Sequence, residues 1–100
     1  MKKVKSGGEE IEFFEEGDIV SLYEKLFQAA GRRGVSERVI EKTKKKILKL
    51  TKKEEKLISK GKPDMNSLRN LYRTLQRLED IAKDPSSYTG PVITEILKSI

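Results

Sequence analysis

Apolar positions along the chain fall into two regimes. Up to Glu16 they alternate weakly with polar ones, and from Ile19 onward they recur every three or four residues. Alternation marks a half-buried strand, whereas the longer spacing marks one face of a helix. The first regime predicts two short strands, residues 3–5 and 11–14, around Gly7-Gly8. Two adjacent glycines supply the positive φ of a tight hairpin turn. A two-stranded hairpin is not stable alone, so Val4, Ile11 and Phe13 or Phe14 are expected to rest on helices.

Four helices follow from the second regime. Asp18 is placed to cap the first, which carries Ile19, Leu22, Tyr23, Leu26, Phe27 and Ala30 and has Gly31 as its stop. Ser36 is the expected N-cap of the second, over residues 36–60, with Val35 set to close a hydrophobic staple against Ile40. Thr51-Lys52-Lys53-Glu54 fits a capping box, which allows a kink or a fresh helix start there, and Gly61-Lys62-Pro63-Asp64 ends the segment. Over residues 65–83, Leu68, Leu71, Leu75, Leu78 and Ala82 keep a 3-4 alternation that Tyr72 and Ile81 widen. That pattern predicts a bundle helix, and Leu68, Leu71, Leu75 and Leu78 also suit the seam of a homodimer. A loop over residues 84–90 leads to Pro91 at the first position of a last helix bearing Val92, Ile93, Ile96, Leu97 and Ile100. The expected fold class is mainly α: a four-helix bundle-like domain with a small N-terminal β-hairpin. It is one domain over residues 1–100, with 1–17 as the hairpin cap and 18–100 as the helical bundle.

Composition narrows what such a bundle can do. Only 35% of residues are hydrophobic, so nearly every large apolar side chain is needed for the core and few remain to line a hydrophobic pocket. With no cysteine and no histidine, thiolate chemistry, imidazole bases and the commonest zinc ligands are excluded, and no metal site is expected. The paired carboxylates Glu15-Glu16 and Glu54-Glu55 sit on segments expected to be exposed, where nothing drives their pKa values apart, so no enzyme activity is expected. No stretch is long and apolar enough to span a membrane, and the start lacks a signal-peptide core, which predicts a cytoplasmic protein without a membrane partner.

Charge is strongly regional. Residues 9–18 carry six acids and no base, whereas residues 32–62 carry thirteen bases and four acids. On a helix over 36–60, Lys42, Lys45, Lys46, Lys49, Lys53, Lys56 and Lys60 fall within about 100° of arc, while Val39, Ile40, Thr43, Ile47, Leu50, Leu57 and Ile58 form a separate face. Seven ammonium groups on one face suit phosphates spaced along a nucleic-acid backbone, without base reading. The acidic segment is a rival partner within the chain. Arg69, Arg73 and Arg77 form a second stripe, expected to pair with that acidic segment, and Arg32-Arg33 between two glycines is the most anion-ready pair by position.

Several of these segments resemble the ATP-cone family of small nucleotide-binding regulatory modules. The resemblance covers residues 3–50 and rests on Val4-Lys5-Ser6-Gly7-Gly8, on Phe14 followed by Ile19, on Ala29-Ala30-Gly31 and on Val35-Ser36-Glu37-Arg38-Val39-Ile40. It implies a hairpin capping a helical bundle with ATP or dATP between them. Val4, Lys5, Gly8, Phe14 and Ile19 would then be the matching site residues, with Arg32 and Arg33 as further phosphate contacts. The sequence departs from the family pattern at Ser6, Gly7 and Asp18. A second resemblance, to ribbon-helix-helix repressors through Gly34-Val35-Ser36, fails at the strand, where Glu10 and Glu12 or Ile11 and Phe13 would face a phosphate-walled groove. The leading expectation is therefore a non-catalytic regulatory module binding ATP or dATP, with no required cofactor. The alternatives are a nucleic-acid-binding protein using the lysine helix and a protein-interaction bundle.

Overall fold

A computed structural model describes residues 1–100. Strands β1 (Lys2–Ser6) and β2 (Glu9–Phe13) pair antiparallel, with Val4 opposite Ile11 and Ser6 opposite Glu9. Gly7 and Gly8, at φ of 56° and 80°, make the two-residue turn that matches the twist of the strands. Val4 and Phe13 are buried and Ile11 is half-buried, so the hairpin has one apolar face and rests it on the helices.

Helices α1 (Glu16–Gly31), α2 (Glu37–Ser59), α3 (Met65–Lys83) and α4 (Gly90–Lys98) follow, with a 3-10 turn over Pro85–Ser87 between the last two. The chain is thus mainly α, with four helices and one N-terminal hairpin, as its periodicity predicts. The first helix starts earlier than expected: Glu15 is the N-cap, and Asp18 lies in the first turn, where its carboxylate accepts the Glu15 N–H at 2.9 Å. The helix does end at Gly31, as expected, but the left-handed residue that closes it comes three positions later. The Val35 N–H reaches back to the Ala30 carbonyl and Gly34 takes the left-handed φ of 83°, a Schellman closure that places Val35 in the core.

No break occurs near Thr51. The Thr51 side chain is buried and its hydroxyl donates to the Ile47 carbonyl one turn earlier at 2.8 Å, so it serves the helix interior instead of a cap. Ser36 does precede α2, but its hydroxyl makes no capping bond. Asp64 caps α3 by accepting the Ser67 N–H and hydroxyl, and those two contacts, backbone first, hold its carboxyl below the ordinary carboxylate range. Thr89 caps α4, which leaves Pro91 at the second helical position and Val92 exposed, not in the core.

One cluster of 18 buried residues runs from Val4 in the hairpin to Leu97 in α4, so cap and bundle share a core. β2 and α1 run alongside α3: Glu12 meets Tyr72, Phe14 packs on the same ring at 5.7 Å, and Leu22 lies by Ala82. α2 returns against α1, and α4 closes on α2. Leu68, Leu71, Leu75 and Leu78 are all buried inside this core. The homodimer seam expected from them is therefore corrected: the neighbours of these leucines are within the same chain.

Candidate functional site

Because α2 is one unbroken helix, its lysine stripe keeps the geometry that periodicity gives it. Lys42, Lys45, Lys46, Lys49, Lys53, Lys56 and Lys60 are all exposed. They extend along roughly 27 Å of helix at 1.5 Å per residue. Two details of the apolar face differ from expectation: Leu50 is 42% exposed, and Glu54 is buried in its place.

No stripe lysine forms an ion pair with an acidic side chain, although the Lys53 charge is felt by Glu54 and Asp64. The ion pairs join Lys3 to Glu10, Arg69 to Glu9, Lys83 to Glu79 and the Met1 ammonium to Asp18. No α2 lysine enters one of them. The acidic hairpin is answered by α3, where Arg69 holds Glu9 and the Tyr72 hydroxyl donates to Glu12 at 3.3 Å. Burial, followed by the nearby Glu12 charge, raises the Tyr72 pKa above its ordinary value. Of the arginine stripe only Arg69 pairs with the hairpin. Arg73 and Arg77 instead line a groove of about 490 Å³ beside the end of α4.

At its N-terminal end the stripe borders a second groove, of about 330 Å³, between α2 and α4. Arg38, Lys42 and Lys46 line it from α2 and Lys98 from α4. The Lys46 ammonium donates to the Ile100 carbonyl at 2.7 Å, which ties α2 to the end of the chain. Sequence reasoning missed Arg38 and Lys98. Arg38 was within reach of it, since it lies four residues before Lys42 and inside the same arc. Lys98 was not, because only the packing of α4 on α2 brings it there.

The seven residues expected to contact a nucleotide do not form one site. Val4, Phe14 and Ile19 are buried core residues, with Ile19 fully so. Lys5 and Gly8 are exposed on the hairpin, beside the N-terminal half of α3 through the Glu9–Arg69 pair. Arg32 and Arg33 lie beyond the far end of α1. There the Arg33 Nε donates to the Tyr88 carbonyl at 3.0 Å, past the C-terminus of α3. From Arg69 to Lys83 alone, α3 spans roughly 20 Å. Arg33 is thus a tie between the α1–α2 turn and the start of α4, which gives it the structural role that its place between two glycines hides.

No group of three or more acidic, histidine or cysteine side chains is arranged to hold a metal ion, and no helix is long and apolar enough to cross a membrane. No family model matches the chain, and neither does any curated protein or solved structure.

Proposed function

We propose that the protein binds nucleic acid through its phosphate backbone, using the lysine face of α2, without catalysis and without reading base sequence. The observation that carries this reading is that all seven stripe lysines are exposed and none forms an ion pair with an acidic side chain, Lys46 alone being tied to a backbone oxygen, while the acidic hairpin is bonded to α3. Unpaired ammonium groups along a rigid rod attract a polyanion and release its condensed counterions on contact. Lysine adds charge but not the planar fork that bidentate base recognition uses, so the binding is indifferent to sequence.

Charge reversal on the face tests the reading. A Lys45→Glu/Lys49→Glu/Lys53→Glu variant is expected to bind duplex DNA or RNA at least about ten-fold more weakly at low salt, judged by fluorescence anisotropy. Lys5→Glu on the hairpin is the control and leaves binding nearly unchanged. All four positions are exposed, so far-UV circular dichroism should show an intact helical fold in both variants. Unaltered binding by the triple variant, or loss of binding with Lys5→Glu alone, would contradict the assignment.

A further inference from the structure

We infer that the groove between α2 and α4 holds an unpaired base of a single-stranded nucleic acid, so that the protein prefers a single strand to a duplex. This rests on the backbone-binding reading above. Arg38, Lys42 and Lys46 recur every four residues and so make one cationic wall, which Lys98 of α4 faces. No acidic side chain lines the groove.

The floor differs from the walls. The half-buried Val39 and Ile100 contribute apolar surface above the buried Leu97, and the Thr43 hydroxyl is turned inward to the Val39 carbonyl at 2.8 Å, with the Leu97 carbonyl at 3.4 Å. A purely electrostatic rail has no use for such a floor. A duplex lying along the stripe presents phosphates outward and keeps its bases stacked inside, leaving the groove empty. An unpaired base offers an apolar face to the floor and a surface on which the planar Arg38 guanidinium stacks, while its flanking phosphates meet Lys42 and Lys98. The volume of about 330 Å³ lies at the small end of ligand sites, which suits one base and not a helix of them. Lys42 and Lys46 belong to both groove and stripe, so a strand following the stripe passes the groove mouth.

The experiment compares a single strand and a duplex of equal length by anisotropy on the full chain, first with the unaltered protein and then with Arg38→Lys. That substitution keeps the charge and removes the plane. The unaltered protein is expected to favour the single strand by about five-fold or more. Arg38→Lys should bring that ratio toward one, and Arg38 is exposed, so a thermal melt should show the fold intact. Equal affinity for the two forms, or a ratio that Arg38→Lys leaves untouched, would overturn the inference while the backbone reading stands. Absence of binding to either form would remove both.

Discussion

Glu54 sits where α2 faces the start of α3, and its Oε2 is buried without a hydrogen-bond partner. Burial raises its pKa, the Asp64 charge adds to the rise, and Lys53 offsets part of it. A carboxyl whose folded pKa exceeds its unfolded value binds its proton more tightly in the native state. The contribution of Glu54 to stability therefore grows as pH falls through the raised folded value, and levels off below the unfolded one. Glu54→Gln is expected to stabilise the protein by about 1 kcal/mol at neutral pH, with a smaller gain in mild acid, measured by urea unfolding at both. Equal effects at the two pH values would contradict a charged, buried Glu54. Tyr23 is the companion case: its ring is fully buried, its hydroxyl has no partner, and burial pushes the phenol well above its ordinary pKa. The burial of Tyr23 was legible in the sequence, from its place on the apolar face of the first helix, but that of Glu54 was not. Glu54 reads there as one more charge in a run, and only the approach of α3 takes it from water.

Among the elements, the helices follow from local chemistry and their meeting points do not. The α3 leucines show the limit: their 3-4 spacing specifies an apolar stripe, but not whether the partner is another copy or, as found, α1 of the same chain. The turn after α1 shows another. There Arg33 and Gly90 lock two connections together, because the α4 start approaches so closely that a Cβ at Gly90 would overlap the Arg33 carbonyl oxygen. Gly90→Ala should cost about 2 kcal/mol by forcing that contact apart, and a denaturation midpoint equal to the unaltered protein's would refute the tight crossing. By contrast, the hairpin turn and the lysine face were legible, since Gly7-Gly8 and helical periodicity act within a few residues.

At the scale of the molecule, a 42 × 22 × 21 Å body separates its charges. The acidic hairpin lies on α3 and the lysine stripe on α2, so the formal net charge of +6 understates the positive field along the stripe. That separation also parts Lys5 and Gly8 from Arg32 and Arg33, and with them the two halves of the expected nucleotide site. The most direct measurement of the central claim is the salt dependence of binding to duplex DNA. Neutralising about five to seven phosphates gives a plot of log affinity against log salt with a slope of roughly −4.5 to −6.3. A slope near zero, or no binding at low salt, would contradict a backbone-directed lysine face.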